Sequence, residues 1–273
     1  GKSWAFGYAG GIICLLIILF GFVQTDTPLF GIEKDLSANI RIAGPIVAVW
    51  FIFFSIPFLL KINNFSKDKN TQKENLFIEV IKNIKSLFSN SNKGRFLLSR
   101  MIYTDGLNTL FAFGGLYAAG TFNMSFSEII IFGILINITA GLGALFFSYI
   151  EDKVGPKYVI NLSLIFLIVI GVITLFLNSK EWFLVFGSAL GFFIGSIQSS
   201  SRSFMSRYIV NGNNAETFGI YAVSGKCTAF LGPAILALIV TIFDSQRVGM
   251  ASIIAFFLLG LFLLQRVIEP KHY

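Results

Sequence analysis

Apolar residues run along this chain in eight long blocks, at about 4–23, 40–61, 97–120, 126–149, 157–177, 181–204, 216–242 and 248–267. Each is long enough to carry a helix across roughly 30 Å of hydrocarbon, which takes about 20 residues. The pattern predicts an all-α polytopic membrane protein, a helical bundle with eight spans. The one substantial polar interruption is 62–94, rich in Lys, Asn and Ser. Inside it Phe77, Val80, Ile81, Ile84, Leu87 and Phe88 recur at helical spacing, with Lys82 and Lys85 on the other side. That spacing predicts an amphipathic helix lying on the membrane surface, the alternative being a solvated linker. The loop divides the chain into 1–61 with two spans, the central loop 62–94, and 95–273 with six.

Local features refine the blocks. The first contains Gly7, Gly10 and Gly11, and the second holds Gly44-Pro45 and Pro57. Asn137, Thr139, Gly141 and Gly143 share the fourth. In the sixth, Gly187, Gly191, Gly195 and Ser199 recur every four residues, either as a close helix contact or as a face kept small beside a cavity. Asn213 and Glu216 have the spacing of a helix N-cap pair.

Composition strengthens the membrane reading. Hydrophobic residues make up 55% of the chain and charged ones 13%, against about 25% charged in soluble domains. The net charge of +7 would suggest nucleic acid in a soluble protein, but its placement argues otherwise. With the chain's start on the cytoplasmic side, the opposite side holds only Lys34, Arg41, Lys180 and Arg247 of the 21 Lys and Arg, and Lys226 falls within a span. That bias is the positive-inside pattern, and it places both ends of the chain in the cytoplasm. Cys14 and Cys227 both fall in predicted spans and read as small packing residues, and His272 is in the terminal tail.

Ionisable groups inside apolar blocks are the candidate chemistry, because each costs roughly 2.5–3.5 kcal/mol on insertion scales and so faces a partner or a watery cavity. Asp105 stands about two turns inside the third block, with Asn108 and Thr109 on the same face at helical spacing. Gln198 and Arg202 end the sixth block, and Lys226 stands within the seventh. Asp105 and Lys226 lie at similar depth, so a buried ion pair is geometrically possible. Such a pair would be a structural tether or a coupling pair that opens for a proton or a zwitterionic solute. The chain has no Ser/His/Asp set, no Walker loop and no His/Cys cluster with metal spacing, so no enzyme is expected. No cofactor is expected either, and a proton is the candidate coupling ion.

The run SYIEDKVGPKY, where the fourth block ends, resembles the cytoplasmic loop motif of the major facilitator superfamily. Asp152, Lys153, Gly155 and Lys157 match; Ser148 and Pro156 depart from it. YTDGLNTLFAFGGLY (103–117), QSSSRS (198–203) and ETFGIYAVSGKCTAFLGP (216–233) are similar to the vacuolar amino-acid effluxer branch, linked to autophagy in fungi and widespread in bacteria. The opening FGYAGG, Arg41, Trp50 and Pro57 fit as well. The resemblance implies a secondary active transporter exporting a small solute such as an amino acid by alternating access between two six-helix halves. It implies that the eight spans are helices five to twelve of twelve, a fragment whose partners are the lipid bilayer, the solute and four N-terminal helices, with no nucleic acid. It implies a plasma membrane in a bacterial host and a vacuole in a fungal one. A membrane-embedded binding or scaffold protein with a purely structural polar stripe is the alternative.

Overall fold

The computed structural model describes residues 2–25, 27–32, 37–61, 91–208 and 214–269. Among these the chain is helical, without strands. The helices are α1 (Lys2–Ile18, continued by a π-helical turn at Leu19–Val23), α2 (Ala38–Arg41), α3 (Ala43–Lys61) and α4 (Asn92–Phe122). They continue with α5 (Phe126–Val154), α6 (Pro156–Phe176), α7 (Lys180–Ser206), α8 (Asn214–Ser224), α9 (Leu231–Phe243) and α10 (Gln246–Gln265).

Among the described residues six helices are long and apolar enough to cross a membrane: α1 with its π-turn, α2 with α3, α5, α6, α7 and α10. They match six of the eight apolar blocks. The block at 97–120 becomes α4, the longest helix, with 31 residues. It starts ahead of the apolar block because Ser91 Oγ accepts from the Gly94 N–H at 3.1 Å and caps the first turn. Lys93, Arg95, Arg100 and Asp105 make α4 more polar than the other long helices. The block at 216–242, expected as one span, is two helices separated by turns at 225–230. The surface helix expected within 62–94, Asn213 of the N-cap pair, and His272 lie outside the described residues.

Turn chemistry sets the helix starts at the end of the bundle that carries Asn123. Ser125 Oγ accepts from the Glu128 N–H while Glu128 Oε2 accepts from the Ser125 N–H at 2.7 Å, a capping box. Lys180 at the start of α7 pairs with Glu128 at 2.6 Å, a solvent-exposed pair that adds little stability.

α7 is the centre of the bundle, with 61% of its apolar window buried, whereas α3 has no buried residue and reaches the rest through Ile46 and Trp50 beside α1. α5, α6 and α4 surround α7, and α10 lies across α4 and α6. α1 runs antiparallel along α5: a Cβ on Gly141 would lie 3.6 Å from that of Tyr8, and one on Gly133 would lie 3.9 Å from Leu15.

The glycine stripe of α7 is a close helix contact with α5. A Cβ on Gly195 would stand 2.0 Å from the Ala140 carbonyl oxygen, and one on Gly191 would stand 2.6 Å from that of Ile136. From the other side, a Cβ on Gly143 would stand 1.8 Å from the Phe192 carbonyl oxygen. The backbones therefore touch, as small residues allow in membrane bundles. Hydroxyls add interhelical hydrogen bonds: Thr139 to the Ser188 carbonyl at 2.7 Å, Ser163 with Ser196 at 2.9 Å, and Ser99 to the Gly260 carbonyl at 2.8 Å.

Candidate functional site

The break between α8 and α9 has a local cause. Pro233 has no N–H, so the Ala229 carbonyl loses its helical donor, and the ring crowds that turn. The carbonyls of Gly225, Cys227 and Ala229 accept no backbone hydrogen bond. Gly225 and Gly232 bracket the unwound segment, and each is pressed against α4. A Cβ on Gly225 would stand 2.9 Å from the Arg100 guanidinium, and one on Gly232 would stand 2.0 Å from Thr109 Oγ1.

Two charged residues of α4 meet this break. Arg100 Nη1 donates to the Tyr221 carbonyl at 2.7 Å and to Ser224 Oγ at 2.6 Å, and its guanidinium stacks 3.5 Å from the centre of the Tyr221 ring. A cation thus caps the C-terminal end of α8, the negative end of its dipole. Asp105 comes five residues later and is 2% exposed. The Thr228 hydroxyl faces its carboxyl without closing a hydrogen bond to it, and both Asp105 Oδ1 and Thr228 Oγ1 are buried without a partner.

The other expected members of this constellation separate into distinct roles. Thr109 donates back to the Asp105 carbonyl at 2.7 Å, so its hydroxyl is spent within α4. Asn108 is half-buried. Lys226 is exposed and forms no ion pair with Asp105. The Asp105–Lys226 pair that similar depth on a continuous helix made possible does not form; the unwinding at 225–230 leaves Lys226 exposed and brings Thr228 to Asp105 instead. Cys227, expected inside a span, is exposed in the same segment with Sγ 3.5 Å from Met101 Sδ.

Gln198 and Arg202 belong to a second place. Gln198 Oε1 accepts from the Tyr8 hydroxyl at 3.2 Å, tying α7 to α1. Arg202 is exposed, its guanidinium 5.1 Å from the centre of the Phe218 ring. It borders an open cavity of about 470 Å³ with Trp4, Ser199, Ser203, Ser206 and Phe218. One cation, several hydroxyls and two aromatic rings suit a small anionic or zwitterionic group. Nearby, Tyr103 shares a 2.7 Å hydrogen bond with Ser201, deep between α4 and α7. A separate cavity of about 260 Å³, enclosed by α4, α5, α6, α7 and α10, is largely apolar, with Asn137 and Thr174 among its polar lining.

The Asp152-Lys153-Gly155-Lys157 run forms the turn from α5 to α6, and its members act unequally. Asp152 and Lys153 are exposed. Lys157 turns inward and donates to the Val267 carbonyl at 2.5 Å, just past α10. Gly155 has φ 86° and ψ 155°, a region open in practice only to glycine. A Cβ there would also strike the Glu269 carboxylate. Glu269 in turn pairs with Arg207 at the end of α7, while Asn92 at the start of α4 accepts from the Ile268 N–H at 2.7 Å. Burial raises the Glu269 carboxyl above its ordinary pKa despite Arg207 and Lys157 beside it. Residues 267–269 are therefore strapped to the ends of α4, α6 and α7. Gly155→Ala is expected to destabilise by about 1–3 kcal/mol, read as a lower melting temperature of the detergent-solubilised protein.

Three groups were not visible as partners in the sequence. Arg100 looked like one more flanking cation, and Glu151 looked like a neighbour of Asp152. Yet Glu151 is the buried carboxylate, accepting from Ser200 Oγ at 2.5 Å. Thr228 carried no signal beyond its place between Gly225 and Gly232-Pro233.

A bundle of long apolar helices, one of them broken opposite a buried carboxylate, defines a polytopic α-helical membrane protein. The family described as "Vacuole effluxer Atg22 like" matches residues 1–272, and the chain belongs to it. It is 22% identical over 286 residues to an uncharacterized MFS-type transporter, YxiO, of Bacillus subtilis, covering 98% of this chain and 62% of that protein. It is 23% identical over 286 residues to autophagy-related protein 22 of Cryptococcus neoformans, covering 96% of this chain and 49% of that protein. The match to autophagy-related protein 22 of Vanderwaltozyma polyspora is 26% over 271 residues, covering 88% and 50%. The chain thus spans about half to three-fifths of the length of these curated relatives. The family is one of membrane transporters rather than of enzymes.

Proposed function

We propose that this chain forms part of a secondary active transporter that moves a small solute, amino acids being the first candidates, by alternating access. The observation that carries this reading is the α8–α9 break packed against Arg100 and Asp105. Interrupted membrane helices leave backbone groups free beside a solute or ion, and such irregular backbone is tolerated only where it borders protein or a watery cavity. The serine-lined cavity at Arg202 is the proposed mouth, its guanidinium meeting the solute carboxylate. The family's description, vacuole effluxer, agrees with export, and the relative's name, MFS-type transporter, agrees with a carrier. Both ends of the chain face the cytoplasm in this reading, and the segment 62–94 links the two-helix part to the six-helix part.

The test is counterflow of a labelled amino-acid mixture in proteoliposomes that carry the full-length protein. Saturable exchange is expected, with Arg202→Ala weakening apparent affinity about tenfold, the scale of one lost charge-assisted hydrogen bond. Non-saturable flux would point to a channel. The absence of any flux, with binding retained, would favour the scaffold alternative.

A further inference from the structure

Asp105 is the one buried carboxylate of the described helices that the packing leaves without a hydrogen bond at Oδ1, and the chain carries it where α8 and α9 separate. Its surroundings can be named element by element. On α4 itself, Arg100 is occupied by Tyr221 and Ser224, and Tyr103 by Ser201. From the break, Thr228 faces the carboxyl and Lys226 is exposed. From α10 come Phe256 and Phe257, packed on Gly106, and Gly260, packed on Tyr103. The one charged residue within α10, Arg247, lies at the far end of that helix, bonded to the carbonyls of Leu175 and Leu177. From α7, Arg202 is exposed beside Phe218. None of these cations pairs with Asp105.

A buried carboxylate without a cationic partner is strongly disfavoured, and it is relieved by taking up a positive charge. The buried oxygens left without a partner here are Asp105 Oδ1 and Thr228 Oγ1. Such a carboxyl–hydroxyl pair is not by itself the full shell of oxygen ligands that a hard cation takes. It suits a proton, because a hydroxyl both donates and accepts. Ionised Asp105 accepts from Thr228, and protonated Asp105 donates to it. We propose that Asp105 is the proton site of this transporter, with Thr228 on the unwound segment reading its protonation state. In the balanced step the carboxylate binds one proton from water to become the acid, then returns it to water on the other side. Because Thr228 belongs to the break, the hydrogen bond changes direction at the junction of α8 and α9.

The inference rests on the carrier reading for its role, but the site itself can be tested without transport. Infrared difference spectra of the full-length protein in detergent, taken across a pH titration, should contain a carboxylic-acid C=O band. That band should vanish completely in Asp105→Asn and shift in frequency in Thr228→Val, which removes one oxygen and preserves shape. Absence of any band sensitive to both substitutions would overturn the proposal. A band that sodium chloride abolishes at fixed pH, where choline chloride does not, would make this a sodium site and would overturn it equally. If Asp105→Asn fails to fold, Thr228→Val alone carries the test through its frequency shift. Loss of amino-acid counterflow with the band intact would refute the carrier reading and leave the proton site standing.

Discussion

Gly195→Ala is expected to destabilise the protein by more than about 3 kcal/mol, at or beyond the top of the usual range for overpacked cores. A methyl group on Gly195 would stand 2.0 Å from the Ala140 carbonyl oxygen and 2.6 Å from its carbon. Backbone atoms of a neighbouring helix cannot rotate away as a side chain can, so α5 and α7 would have to part along their shared length. The same register brings Gly143 against the Phe192 carbonyl, and parting the helices would loosen that contact and the Thr139–Ser188 hydrogen bond together. Gly10→Ala is the control. Nothing lies within 4 Å of its would-be Cβ, and alanine favours a helix over glycine by about 1 kcal/mol. Thermal melting in detergent should separate the two variants in opposite directions. Equal melting temperatures would mean that the α5–α7 contact is not as close as described.

Arg100→Ala is expected to cost about 3 kcal/mol. Two hydrogen bonds from a charged donor are lost, each worth about 1.5–3 kcal/mol where partly shielded from water. Stacking on Tyr221 contributes about 0.5–2 kcal/mol more. Part of this is recovered, because the Tyr221 carbonyl keeps its bond from Ser224 Oγ at 2.8 Å. Arg100→Lys should recover less than half of the loss, since an ammonium keeps the charge at the end of α8 but cannot fork between two acceptors or stack flat. A change below about 1 kcal/mol in Arg100→Ala would remove Arg100 as the cap of the break.

The helical class was legible because a membrane span must be both apolar and long, and those two demands write themselves into the chain. Asp105 was legible as unusual for the same reason, standing out against its apolar block. The close contact made by Gly187, Gly191 and Gly195 was legible as one of two readings of a four-residue repeat. Three dimensions chose between them, since the repeat fits a cavity wall equally well until a partner helix is placed.

Lys226 is the instructive miss. Gly225, Gly232 and Pro233 were all in view, and Pro233 alone removes a helical donor. Proline is nevertheless common in membrane helices that merely bend, so the sequence could not tell a kink from an unwound segment. Once the segment unwinds, depth counted along a helix no longer says which way a side chain points. Lys157 makes the same point at the α5–α6 turn, where the motif names the cation but only the structure shows it donating to a carbonyl past α10.

By itself, then, the amino-acid order determined the membrane-spanning helical class and the family, because hydrophobic length and motif spacing are properties of the chain alone. Only the tertiary structure decided who meets whom: Arg100 at the end of α8, Thr228 facing Asp105, Glu151 rather than Asp152 buried. Those pairings join residues some 50 to 130 positions apart through helices packed backbone to backbone, and no local pattern encodes that proximity.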